Sequence, residues 1–372
     1  MARKKSCFIP LLIVICILFS ACYNYKDINR VIFVTSMLID VDENDNIVLY
    51  TDTLKPYRNA SESSEKGMRV MYKSEGKSLF EAVRNMNLTS SYVINYSQNK
   101  AVIFSERAAE KGLQNYIDFL NRDQEFNVRS FLFIYYGDIK RIMKLAANNE
   151  EYMGSFLNEI VNKMQTSPRT VHLNLNDYIV NRNIGSGVTI MSALEVRKEV
   201  LEDKIKLVGG AIIKDEKLSG KLFLPLGLSY NLLTNKVKKG TLEVINPGDK
   251  EKLATLEILK GNTKTKIEYN KGKIQLIKNI KIHASLGEVQ GNMNLTKENV
   301  HMLEKSAKDN IEKYGVLLFE EYKNKDIDLF NVSREIEKKY PHVKIEDILK
   351  NTVISINAEV KIEGSSRIQN AE

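Results

Sequence analysis

The chain has 372 residues, 43% hydrophobic and 27% charged, which is enough apolar content to bury a core and excludes a disordered or collagen-like polymer. Its 55 Lys+Arg against 47 Asp+Glu give a formal +8 with both signs interspersed. A nucleic-acid binder would instead gather its cations on one face. The three cysteines, Cys7, Cys16 and Cys22, all precede the folded body, which excludes a disulfide framework or a cysteine zinc site there.

In chain order, Arg3, Lys4 and Lys5 come first and Phe8 to Ala21 follows, an apolar stretch interrupted only by Pro10 and Ser20. A helix of that length spans roughly 20 Å at about 1.5 Å per residue, short of the ~30 Å hydrocarbon core. It therefore reads as the h-region of a signal peptide. Leu18-Phe19-Ser20-Ala21-Cys22 closes it with small residues before a cysteine, and resembles a bacterial lipoprotein signal. Small side chains suit the peptidase at the cut, and only a thiol forms the thioether. Phe19 departs from that pattern, which has Leu or another aliphatic there. The resemblance implies removal of residues 1–21 and lipid attachment at Cys22 through S-diacylglycerol and an N-acyl chain. The two acyl chains of the diacylglycerol alone, at about 0.8 kcal/mol per buried methylene, anchor stably where one would release. Loss of the three leader cations leaves 52 Lys+Arg against 47 Asp+Glu, a net +5. No later apolar run approaches a membrane span. About nine residues separate Cys22 from the first strand near Val31, a reach of at most ~30 Å, so the body is expected close to the headgroups.

Val31 to Val41 and Ile47 to Leu54 read as a hairpin around the polar turn Asp42 to Asn46. Asn59 to Lys66 reads as a loop, Arg69 to Tyr72 as a strand, and Ser78 to Leu88 as a helix with Leu79, Ala82, Val83 and Met86 on one face. A strand at Ala101 to Ser105, a helix at Ala108 to Leu120, a strand at Phe131 to Tyr136 and a helix at Asp138 to Ala147 follow, the alternation of a sheet covered by helices. Helices are predicted over Tyr152 to Met164 and Asn174 to Asn181, and a strand over Val188 to Val196. The charged segment Arg197 to Lys204 reads as a junction between halves.

Beyond it the chain is strand-rich. In Lys273 to Ala284, Ile274, Leu276, Ile280 and Ile282 alternate with Lys273, Gln275, Asn279 and Lys281, the period of a strand with one wet face. One long helix, about Lys297 to Lys323, sets Val300, Leu303, Ala307, Ile311, Tyr314, Leu318 and Tyr322 in a stripe expected to pack on a sheet. A short helix near Phe330 to Tyr340 stops at Pro341. In the closing strand Ile354, Ile356, Ala358, Val360 and Ile362 face one way. The expected class is α+β and multidomain, with mixed, mainly antiparallel sheets and a strand-rich C-terminal domain bearing the long helix. The division is 1–21 signal peptide, 22–200 N-terminal α/β region, with room for two subdomains, and 204–366 C-terminal α+β domain.

The sequence carries few motifs that point to chemistry. His172, His283, His301 and His342 are scattered, and Glu298 and Glu304 beside His301 lie on a solvated helix face, so no metal site is assigned. The cluster Asp40, Asp42, Glu43, Asn44, Asp45 begins like a calcium loop but has Asp45 where Gly is needed and Thr51 where Glu is needed. A hairpin tip fits better. Gly185-Ser186-Gly187 lacks the third glycine of a dinucleotide loop, and nucleophile elbows are absent. Phe131, Phe133 and Tyr135 share a strand face without basic interleaving and read as core, so no nucleic-acid partner is expected. No catalytic residue and no cofactor is assigned, and the protein is read as not an enzyme.

Several segments together resemble the Ger(x)C family, the lipoprotein C subunit of the nutrient-germinant receptors of spore-forming bacteria. They begin with Cys22-Tyr23-Asn24-Tyr25-Lys26-Asp27-Ile28-Asn29, with Tyr23 where the family commonly has Trp. Gly76-Lys77-Ser78-Leu79-Phe80-Glu81-Ala82 looks like its helix start. Asn99 to Glu106, followed by Ala109, Gly112, Leu113 and Phe119 to Asp123, is similar to its most recognisable N-terminal block. Gly209 to Leu218 resembles the start of its C-terminal domain, and Lys338-Lys339-Tyr340-Pro341 with the closing strand resembles its end. The resemblance implies a non-catalytic subunit, lipid-anchored on the outer face of the spore inner membrane. It would work beside germinant receptor A and B membrane subunits to trigger spore germination in response to nutrients. A solute-binding lipoprotein of a transporter is the alternative, and needs two similar lobes around a cleft.

Overall fold

The runs Ala101 to Phe104 and Leu132 to Tyr136 are buried throughout, as strands covered on both faces must be. A nine-stranded mixed sheet forms around them. The computed structural model describes residues 30–55, 68–148, 151–163 and 168–365. The Asn59 to Lys66 loop, Met164 and everything before Arg30, Cys22 included, lie outside the described residues.

β1 (Val31–Val41) and β2 (Ile47–Lys55) form the expected hairpin, and β3 (Met68–Gly76) adds antiparallel to β2. α1 (Leu79–Met86) starts where Ser78 accepts a hydrogen bond from the Glu81 amide. β4 (Val93–Asn95) and β5 (Ala101–Ser105) both run parallel to β1. α2 (Glu106–Lys111) and α3 (Gln114–Arg122) replace the single helix expected over 108–120. The break is Gly112, whose φ of 130° no helix accommodates. β6 (Phe131–Tyr136) and β7 (Thr189–Lys198) continue the parallel run, separated by α4 (Ile139–Asn148), α5 (Met153–Lys163) and α6 (Leu175–Asn181).

β8 (Asp203–Lys214) and β9 (Lys217–Phe223) then complete the order β3-β2-β1-β5-β6-β7-β8-β9, with β4 beside β1. The segment Arg197 to Lys204 is thus a hairpin connection inside one sheet, closed by Glu199 N–H to Glu202 O at 2.8 Å. Charged residues there reflect a solvated tip. One sheet face, with Val102, Phe104, Leu132 and Ile134, packs on α1, α2, α3 and α6. The opposite face, with Ile103, Phe133 and Tyr135, packs on α4 and α5.

α7 (Leu224–Leu233) leads into the second sheet, β10 (Gly240–Asn246), β11 (Asp249–Asn270), β12 (Lys273–Val289) and β13 (Thr352–Ser365), in the order β10-β11-β12-β13. β13 is parallel to β12. Between them run α8 (Lys297–Asn324) and α9 (Val332–Lys339). Six of the eleven described strand pairings are antiparallel, so both sheets are mixed, as expected of this α+β chain.

Leu303, Ala307, Ile311, Leu318 and Tyr322 of α8 are buried on the sheet, each large apolar side chain contributing about 1.5–3 kcal/mol. Tyr314 departs from the predicted stripe and is 49% exposed. Gly315 takes that place because the helix comes so close to β13 that an added Cβ would sit 2.5 Å from Ile356 Cδ1. The same core takes in Val171, Val188, Ile190, Ile212 and Leu222 from the first sheet's side, so the two sheets share it.

Candidate functional site

Where parallel strands are covered by helices, ligands bind beyond the strands' C-terminal ends. Here that edge holds a cleft of about 430 Å³ lined by Asp40, Tyr50, Ser105, Arg107, Gly137, Asp138 and Lys140, among others. β1 delivers Asp40, which is only 4% exposed. Its carboxylate accepts from Ser105 Oγ at 2.6 Å and from Arg107 Nη2 at 2.6 Å. Ser105 ends β5 and also caps α2, accepting from the Ala108 amide at 3.0 Å. Its proton and a lone pair are thus both engaged in holding β5, α2 and β1 together, and no histidine lines the cleft to act as a base. Arg107 is the exposed member, able to present a guanidinium to an anion while Asp40 holds it in place. Burial raises the pKa of Tyr50, against the lowering influence of Lys73.

A second polar cluster lies inside the N-terminal region. Asp52 on β2 pairs with Arg69 on β3, Nε to Oδ1 at 3.0 Å, and accepts from the Met153 amide at 2.7 Å. Arg69 also donates to the carbonyls of Ala146 and Glu151 and lies over the Tyr152 ring, 5.0 Å from its centroid. Burial pushes the Asp52 carboxyl up, and Arg69 opposes it. One guanidinium therefore ties β3 to the connection between α4 and α5.

The two sheets meet at a polar seam, crossed by the ion pair of Lys214 with Asp326 and by hydrogen bonds, and braced on the first sheet's own side by Arg182. Arg182, after α6, reaches Asp118 at 2.7 Å and Glu216 at 3.2 Å. Arg334 of α9 donates to Asn181 at 3.0 Å, and Lys214 of β8 pairs with Asp326 at 2.9 Å. Gly185 donates its amide to Glu337 at 3.2 Å, so the glycine pair at 185 and 187 belongs to this seam and not to a nucleotide loop.

Lys278 is the most unusual single residue. It points to the apolar face of β12, 3% exposed, donating to Thr265 Oγ1 at 2.9 Å with the Phe330 ring 5.9 Å away. Burial lowers its pKa to about 8, opposed by Glu335 and Asp328. The alternation read from sequence set Lys273 and Lys281 in water, where they are, but left Lys278 unassigned. The available signal was its parity with Leu276 and Ile280, which puts all three on the buried face of the strand.

The remaining sequence candidates disperse. Asp42 accepts the amides of Asn44 and Asn46 at 2.9 and 2.8 Å while Asp40 turns into the sheet, so the acidic cluster is a hairpin tip. His283 contacts Glu363 at 2.8 Å on an exposed face, His301 lies 3.8 Å from Glu304, and burial lowers the pKa of His172 beside Phe131. Among the described residues no group of three His, Cys, Asp or Glu could hold a metal ion. None of their helices is long and apolar enough to cross a membrane. The cluster at Asp40, Ser105 and Arg107 was missed because its members are 65 and 67 positions apart. Only the Ser-Glu-Arg following an apolar strand hinted at a capped helix start.

Known proteins similar to this chain agree on one family. A model described as "Spore germination protein N-terminal domain" matches residues 24–196, and one described as "Spore germination B3/ GerAC like, C-terminal" matches residues 208–366. Spore germination protein GerQC of Bacillus cereus is 24% identical over 316 residues, covering 84% of this chain and 86% of its own length. Spore germination protein KC of Bacillus subtilis (strain 168) is 22% identical over 184 residues, 47% of this chain and 45% of its own. The crystal structure of the GerBC protein matches with a TM-score of 0.56 at 17% identity, covering 88% of this chain and 96% of that one, so the fold is shared.

Proposed function

The chain belongs to the Ger(x)C family of spore-germination proteins, and from that premise we propose that it is the lipid-anchored C subunit of a spore germinant receptor. Cys22 is the anchor, on the outer face of the spore inner membrane, and the body assembles with the A and B membrane subunits so that nutrient binding leads to germination. The observation that carries this reading is a lipoprotein-type start, Leu18 to Cys22, directly before a body matched by both family domains in order.

The subunit has no reaction of its own. Its titratable clusters support that role: Asp40 with Ser105, Asp52 with Arg69, and Arg182 with Asp118 and Glu216 each join separate elements of the fold. A non-catalytic coupling subunit needs a body whose parts move as one, and the seam supplies such linkage. The solute-binding alternative calls for two similar lobes, whereas the described sheets differ in strand number and order.

The direct test is Cys22→Ala in the full chain. Lipid labelling and membrane retention should be lost and nutrient-triggered germination slowed. Unchanged co-fractionation with the membrane would overturn the anchor.

A further inference from the structure

We propose that the edge of the first sheet where β1 begins is a lipid-contacting face that rests on the anionic bilayer surface. This rests on the reading of Cys22 as the anchor.

The described body starts at Arg30, exposed, beside Val31, which pairs with Val93 of β4. Around this point the fold leaves apolar side chains in solvent: Leu88 is 85% exposed, Met68 51% and Val93 46%. Topology gathers them. α1 runs back from the far edge, leaving Leu88 and the start of β4 beside the start of β1, and Met68 pairs with Lys55 at the end of β2. The Lys55 ammonium lies over the Tyr92 ring, 4.7 Å from its centroid. An apolar rim with an amphipathic tyrosine and cations is the composition of a protein surface seated at headgroup level.

Charge agrees. From Asn87 to Lys100 there is no carboxylate, and Asn, Ser, Thr, Tyr and Gln fill the polar positions. Among the described residues, Asp123 and Glu125 act on Tyr96, and Glu151 lies against Arg69, the neighbour of Met68. Arg30 and Lys55 at the edge itself carry the opposite sign, as an anionic leaflet requires.

Reach decides between this edge and its competitor. The hairpin tip between β7 and β8 exposes Val200 at 94% and Leu201 at 95%. Ile39 lies level with Phe104, Ile134 and Ala193 across the sheet. Arg30 is nine positions before Ile39 and Val200 seven after Ala193, so the tip stands about sixteen strand residues, ~50 Å, from Arg30. Arg30 is eight positions after Cys22, a stretch that extends at most ~29 Å. A body standing on that tip would exceed its tether, whereas the β1 edge lies within it.

The chain contains no tryptophan, so a substitution to tryptophan reports one place. Leu88→Trp, Val93→Trp and, at the opposite tip, Leu201→Trp would be made in the full, lipidated chain and reconstituted in vesicles of phosphatidylethanolamine and phosphatidylglycerol with brominated acyl chains. The expected result is flotation of all three with the vesicles, with quenched, blue-shifted emission for Leu88→Trp and Val93→Trp and unquenched emission for Leu201→Trp. Flotation with no quenching at 88 or 93 would overturn the face while leaving the anchor intact. Failure to float would remove the anchor and the face with it. Quenching at 201 alone would reverse the orientation. A blue shift at 88 that needs added membrane subunits and shows no bromolipid quenching would assign the edge to a protein partner and refute lipid contact.

Discussion

Lys278→Met is expected to stabilise the C-terminal sheet at neutral pH, with a gain that fades as the pH rises. Lys278 is 3% exposed and its pKa is lowered to about 8, chiefly by burial. A lysine in the unfolded chain titrates near 10.4. Between those values the unfolded state binds more protons than the folded one, so wild-type stability rises with pH there. The cost of the buried ammonium is fully present below about pH 8 and is relieved by about pH 10.4. The difference of roughly 2.4 units at 1.36 kcal/mol per unit amounts to about 3 kcal/mol. Methionine forfeits the 2.9 Å bond to Thr265, worth about 1 kcal/mol, but Thr265 is half-buried and can turn to water. The variant should therefore gain about 2 kcal/mol near neutral pH. Urea denaturation of both proteins by circular dichroism, across about pH 6.5 to 10.5, measures the gap directly, since other titrating groups cancel in the difference. A gap independent of pH, or a variant less stable than wild type near neutral pH, would refute the reasoning.

Arg69→Ala leaves Asp52 buried beside the Met153 amide without its cation, and should cost about 3–5 kcal/mol. Asp52 already has a raised pKa, so thermal unfolding should show a smaller loss at acidic pH, where the carboxyl is neutral, than at alkaline pH. Gly315→Ala should cost about 1–3 kcal/mol by overpacking, because its Cβ meets Ile356 Cδ1 at 2.5 Å. Ile356→Val removes that atom, and the double variant should recover part of the loss in denaturant melts; strict additivity would count against the contact.

The fold was legible where local chemistry and periodicity agreed. Ser78 before Leu79, Ala82 and Met86 announces a capped helix, and Ile354 to Val360 alternate so cleanly that β13 could be placed from spacing. β11 was not resolved as one strand, because its buried face includes Gly261 and Thr263 and its register shifts near Ile258, which interrupts the period of two. α7 shows no polar face to read, being an apolar run that starts with Pro225 at its first turn. Tyr314 and Gly315 differ by one position, and spacing cannot tell which faces the sheet; contact with β13 decides for the glycine. The cleft was illegible for another reason. Asp40 stood in an acidic hairpin and Ser105 in a strand, and only the parallel pairing of β1 with β5 brings them together.

As proposed, this body is a receptor subunit held at the membrane beside its partners. Affinity capture of the tagged, full-length chain from detergent-solubilised spore inner membranes tests it most directly. Recovery of the polytopic A and B subunits together with it is expected. Recovery of the chain alone, or with the components of a solute transporter, would contradict a receptor-subunit role.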